Sequence, residues 1–270
     1  MRRDPTELAL AIRRSVLKMT STGQASHVGS CLSVTDILAV LYGEVLDIDP
    51  AWPDWPERDR MIVSKGHAAA AVYAVLAELD FFPSNWLLNY GNPGSPLLGH
   101  VSHTIAGIEL STGSLGHGLP VGAGLSLAAK RSGKTWRSFV VLSDGELNEG
   151  SNWEAALFAA HHGLDNLIAI VDYNKLQGFG RTDEVLQLEP LAEKWQAFGW
   201  ETFEVDGNDI ADLTNILSHI QTFTSRPTSI IAHTVKGKGV SFMENRLEWH
   251  YMTPNKEQLR DALTELDLKA

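Results

Sequence analysis

The sequence has one cysteine, Cys31, among 270 residues. An internal disulfide is therefore excluded, and a reducing compartment, the cytoplasm, is the expected setting. Cys31 reads either as a buried cysteine or as a reactive thiol. No stretch approaches the roughly 18 apolar residues of a membrane span. The first residues carry Arg2, Arg3, Asp4 and Glu7 without a long apolar run, which does not read as a signal peptide. Excess positive charge is lacking too. A net charge of −11 argues against nucleic acid or an anionic membrane as the main partner. Any phosphate ligand then needs local help from a metal, backbone N–H groups or a few placed cations. Repeats, low-complexity runs and a Pro/Ser-rich linker are also missing, so one domain over residues 1–270 is the simplest expectation.

What is present is a regular alternation. Helices are expected over residues 5–20, 34–45, from Ala68 onward, 119–130, 149–162, 191–198, 209–223 and 256–266, with Ser33 or Thr35 capping the second. In the 149–162 segment, Trp153, Ala156, Leu157 and Ala160 share the expected apolar face. Strands are expected at 60–64, 137–142, 167–171, 200–205 and 228–232. The fold class is α/β: a mostly parallel sheet with helices on both faces.

Within this alternation, Phe139–Leu142 runs into Ser143-Asp144-Gly145, and Leu167–Val171 runs into Asp172-Tyr173-Asn174. If both runs are parallel strands, Asp144 and Asn174 emerge together at the carboxyl ends of the sheet, where open α/β proteins bind ligands. A carboxylate and an amide oxygen make half a Mg²⁺ site, which commonly leaves its remaining positions to phosphates and water. Ser111-Thr112-Gly113-Ser114-Leu115-Gly116 precedes a small-residue helix. Such a loop exposes N–H groups suited to a diphosphate, and equally allows tight helix packing or a contact between protomers. Lys65-Gly66-His67 ends a strand, and the long loop 91–113 carries His100 and His103. No cysteine or third spaced ligand turns that pair into a zinc site.

These segments resemble transketolase. Ser64-Lys65-Gly66-His67-Ala68, Thr112-Gly113-Ser114-Leu115-Gly116, Asp144-Gly145 followed by Glu149-Gly150, Asp172-Tyr173-Asn174-Lys175, Lys236-Gly237-Lys238-Gly239 and Trp249-His250 occur in family order. Asp144 and Asn174 are 30 positions apart, the spacing of the thiamine diphosphate motif. The resemblance implies a PP-type thiamine diphosphate-binding domain and a transferase that moves a two-carbon ketol unit between sugars or sugar phosphates. It implies Mg²⁺, with Ca²⁺ or Mn²⁺ as substitutes, held by Asp144, Asn174 and the Leu176 carbonyl. Cofactor contacts are implied for Lys65, His67, Thr112, Gly113, Ser114, Leu115, Gly145, Glu149, Lys236 and His250. Catalytic roles fall to His27, His67, His100 and His250, and substrate contacts to His27, Ser30, His100 and His250. A full transketolase is more than twice this long. The resemblance is therefore to the N-terminal subunit of a split enzyme, whose partner carries the pyrimidine-binding domain and the glutamate that activates the cofactor. An α2β2 assembly is implied, with segments 111–130 and 150–162 as contact surfaces. The alternatives are one chain of a 2-oxoacid dehydrogenase or decarboxylase, or a non-catalytic cofactor-binding subunit. Ser143 replaces the first glycine of the motif. His117, the run Val101-Ser102-His103 and Tyr251 also depart from the family pattern, all expected near the substrate funnel.

Overall fold

The computed structural model describes residues 2–220 and 224–268. Five strands form one sheet: β1 (Arg60–Val63), β2 (Ser138–Ser143), β3 (Leu167–Tyr173), β4 (Glu201–Asp206) and β5 (Thr228–His233). Their spatial order is β1-β2-β3-β5-β4, and every pairing is parallel. Parallel strands buried on both faces read as continuous apolar runs, and β2 and β3 are buried along their whole length.

Successive strand residues point to opposite faces. Phe139, Val141, Ile168, Ile170 and Ile230 enter one core. Helices α1 (Pro5–Thr22), α2 (Val28–Ser33), α3 (Thr35–Val40) and α4 (Ala69–Glu78) cover that face. Val140, Leu142, Leu167, Ala169 and Ile231 enter the other. That side is covered by α5 (Gly118–Arg131), α6 (Gly150–His161) and, after the short turn α7 (Thr182–Val185), α8 (Leu191–Ala197). Helices α9 (Ile210–Ser218) and α10 (Lys256–Leu268) add Leu213, Leu217, Ala262 and Leu266 to the first core. No helix among the described residues is long and apolar enough to cross a membrane.

Three expectations need correction. The helix expected from residue 34 is two short helices beginning at Val28, the first of which carries Ser30. Ser33 and Thr35 do not cap it. Ser33 Oγ donates to Asp172, and Thr35 Oγ1 donates back to the Cys31 carbonyl. Helix α6 buries Asn152, Ala155, Ala156 and Ala159, while Leu157 is 58% exposed. Of the expected face, Ala156 is buried and Trp153 and Ala160 pack against the core, so only Leu157 is misplaced; Asn152 lies inward, its amide donating to the Glu146 carbonyl. Helix α9 ends at Ser218, short of the expected Phe223. Residues 221–223 lie outside the described residues.

Candidate active site

The register of the central strands places the site. Ser143 of β2 pairs with Asp172 of β3. Asp144 and Asn174 therefore leave neighbouring strands at the same end of the sheet. Asp144 is only 2% exposed, and its oxygens accept from the Gly145 and Lys175 N–H groups at 2.7 and 2.6 Å. Lys175 adopts φ 67°, a left-handed conformation that turns its N–H onto Asp144. Burial, and then nearby Asp172, push the Asp144 carboxyl up to about 6. Asn174 Oδ1 accepts the Leu176 N–H at 3.1 Å, and the Leu176 carbonyl accepts Lys236 Nζ at 2.9 Å.

A cavity of about 480 Å³ opens over these strand ends. Gly113, Leu115, Gly145, Glu149 and Leu176 line it, together with Asp144 and Asn174. Four histidines from distant parts of the chain enter it: His27, His67, His100 and His250. The His27 ring centroid lies 5.1 Å from His67, 5.1 Å from His250 and 6.1 Å from His100. His67 and His250 are 5.9 Å apart. His27 has φ 74° and its N–H donates to the His250 carbonyl, so a strained residue fixes one ring against another.

Three of these imidazoles, His27, His67 and His250, are held neutral at neutral pH. Burial first, then His100 and the buried lysines, lowers His27 to about 4. Burial and Lys236 lower His250 to about 3. His67 is held well below its usual value by burial and Lys65. Lys236 is itself lowered to about 8 by burial, so it remains an ammonium at neutral pH. Its Nζ lies 2.9 Å from His250 Nδ1. An ammonium can only donate, so Nδ1 accepts and the His250 proton resides on Nε2.

Several expected contacts sit differently. Lys65 lines the cavity, but its fully buried ammonium is paired with the Asp172 carboxylate and donates to the Ser30 carbonyl at 3.2 Å. Lys236 lies behind the lining, holding His250 and Leu176. Thr112 and Ser114 do not line the cavity. The Thr112 hydroxyl donates instead to the Val63 carbonyl, bracing the loop against β1. Of the departures from the family pattern, Ser143 and Tyr251 line the cavity, whereas His117 and His103 are exposed outside it.

Two residues that carry the site were given no role from sequence. Glu146, fully buried, accepts from Ser64 Oγ, the Gly116 N–H and the Ser143 N–H. It ties the glycine loop, the end of β1 and the end of β2 together. Asp172 accepts from Lys65, Ser33 and Thr234. Both read in sequence as ordinary acids. Only their burial with converging donors distinguishes them.

The donor set suits a metal-bound diphosphate. Asp144, Asn174 and the Leu176 carbonyl offer oxygen alone, the preference of Mg²⁺. Asn148 Nδ2 donates to Gln177 Oε1 at 3.2 Å, leaving Asn148 Oδ1 and Gln177 Nε2 buried without a protein partner beside the cavity. Orphaned buried polar atoms of this kind call for a polar ligand or water.

Comparison with known proteins gives a consistent answer. Residues 5–269 match the family described as transketolase, thiamine diphosphate binding domain. The chain is 48% identical over 260 residues to one subunit of the apulose-4-phosphate transketolase of Actinobacillus succinogenes, covering 96% of this chain and 94% of that one. It is 40% identical to one subunit of the 6-deoxy-6-sulfo-D-fructose transketolase of a Clostridium species, over 96% of this chain and 94% of that one. Transketolase from Leishmania mexicana superposes with a TM-score of 0.91 at 28% identity, over 99% of this chain but only 42% of its own.

Proposed function

We propose a function from one premise: this chain belongs to the transketolase family and spans its thiamine diphosphate-binding domain. The family is one of transferases. The reading is that the chain is the N-terminal subunit of a two-chain transketolase. It would hold the diphosphate of thiamine diphosphate through Mg²⁺ and, with a C-terminal partner, move a two-carbon ketol unit from a ketose to an aldose. The observation that carries it is the meeting, in one cavity, of the buried Asp144–Asn174 pair with four histidines gathered around His27. Near-full coverage of relatives named as subunits supports the need for a partner. The partner would bring the pyrimidine-binding domain and the activating glutamate, in an α2β2 assembly.

In this reading Asp144, Asn174 and the Leu176 carbonyl would hold Mg²⁺, and Gly113, Leu115 and Gly145 would approach the cofactor by backbone. Thiamine diphosphate, when bound, supplies the electron sink for breaking and making a carbon–carbon bond. The protein's own contribution is positioning and proton transfer. Each neutral imidazole offers one donor and one acceptor at neutral pH, and burial keeps His27, His67 and His250 from taking up a proton there. His250, with its proton set on Nε2 by Lys236, can donate to a substrate oxygen while His27 and His67 accept from neighbouring hydroxyls. Ser30 and His100 complete the wall that receives the sugar. Sugars or sugar phosphates are the substrates of this reading. The named substrates of the two subunit relatives are anionic sugars, which favours a specialised substrate of the same kind. The histidine set and the family match favour it over a 2-oxoacid enzyme.

The test is calorimetric titration of this chain with thiamine diphosphate, with and without Mg²⁺. Saturable binding that requires Mg²⁺ and is lost in Asp144→Ala is expected. Equal binding by the variant would mean that the metal site is misassigned.

A further inference from the structure

Three large apolar side chains stand exposed around the cavity mouth. Phe179 is 88% exposed, Tyr251 59% and Val185 40%. An apolar rim of this kind suits an occupant that presents C–H groups. Tyr251 is not loosely placed. Its ring meets His250 edge-on at 4.7 Å and 66°. Its hydroxyl lies against Gly178, where an added Cβ would be 2.7 Å from that oxygen and 3.2 Å from His250 Nε2. Gly178 thus leaves room for the Tyr251 hydroxyl against its backbone, beside His250 Nε2. The rim also lacks charge of the opposite kind. Among the described lining residues the one cation is Lys65, fully buried and paired with Asp172.

On the reading given above, we propose that Tyr251, with Phe179, is the specificity-determining rim of this site. The two rings contact the C–H face of the sugar carbons beyond the reacting end. A phosphate or other anion at the far end of the sugar is met outside this chain. The rim then selects by chain length: a sugar of four or more carbons reaches it, and a two-carbon aldehyde does not.

The test uses the assembled complex of this chain with its partner. Acceptor kinetics are compared for a two-carbon aldehyde and a four-carbon aldose phosphate, and equilibrium binding of the aldose phosphate is measured separately. In Tyr251→Gly the kcat/KM ratio favouring the four-carbon acceptor should fall by about tenfold, through KM, and aldose binding should weaken equally. Tyr251→Phe should keep the ratio, and Phe179→Ala, a substitution at an exposed site, should lower it in the same direction. An unchanged ratio, or a fall in kcat alone for both acceptors, would overturn the rim and leave Tyr251 a support for His250. Should the complex transfer no ketol unit while aldose binding still depends on Tyr251, the rim stands and the catalytic reading fails.

Discussion

Replacing Asp172 by asparagine should destabilise this chain far more than any surface change. The Lys65 and Asp172 side chains are both 0% exposed. In an effective dielectric near 20, a unit pair in contact is worth about 5 kcal/mol, but removing each ion from water costs several kcal/mol. The net value of the pair is therefore small, whereas breaking it is not. Asp172→Asn leaves the Lys65 ammonium buried with only the Ser30 carbonyl at 3.2 Å. It also removes one of two carboxylate oxygens that receive Ser33 and Thr234. An uncompensated buried charge costs about 3–5 kcal/mol. Lys65→Met combined with Asp172→Asn removes both charges and should recover about 2 kcal/mol of that loss. Guanidinium denaturation at pH 7, with unchanged slope across the set, measures each step. A loss below about 1 kcal/mol in the single variant, or a double variant no more stable than Asp172→Asn, would refute the reasoning.

Three further outcomes are expected. The Asp144 carboxyl lies near 6 in the free chain, and the metal requires its ionised form. Mg²⁺ affinity at saturating thiamine diphosphate should therefore rise with pH through about 6 and level off above it. Affinity that stays flat from about one pH unit below that midpoint to one above it would contradict the site. The His250 ring, held down to about 3, stays neutral while the unfolded chain protonates below about 6.5. Its contribution to stability is complete above 6.5 and is lost as pH falls toward 3, so His250→Gln should show a flatter stability curve across that window in denaturant titrations. At Gly66 an added Cβ would meet the Thr112 carbonyl oxygen at 2.2 Å, a backbone atom that cannot step aside. Gly66→Ala should cost about 1–3 kcal/mol and weaken cofactor binding by shifting the glycine loop, readable as a lower thermal midpoint and a weaker Kd.

The sheet was legible because β2 and β3 are buried on both faces and announce themselves as unbroken apolar runs ending in Asp144 and Asn174. The short elements were not. Helix α2 has six residues, too few for a periodicity, and follows His27 in a left-handed conformation that no pattern signals. On α6 only Leu157 was misplaced, and the inward turn of the polar Asn152 to a carbonyl was not foreseen. At the site, a match to a family pattern placed the histidines, but nothing in their spacing says that residues 27, 67, 100 and 250 touch. The ion pair of Lys65 was not legible, since its partner Asp172 is 107 positions away. Glu146 escaped notice for the same reason: its donors come from Ser64, Gly116 and Ser143, on three separate segments.

The most direct measurement is ketol transfer by this chain alone, by its C-terminal partner alone, and by the two mixed, with Mg²⁺ and thiamine diphosphate present throughout. The account predicts activity only in the mixture, saturating with partner concentration, and its loss when Asp144 is replaced by alanine. Full turnover by the isolated chain, or a mixture that works equally well with Asp144→Ala, would contradict it.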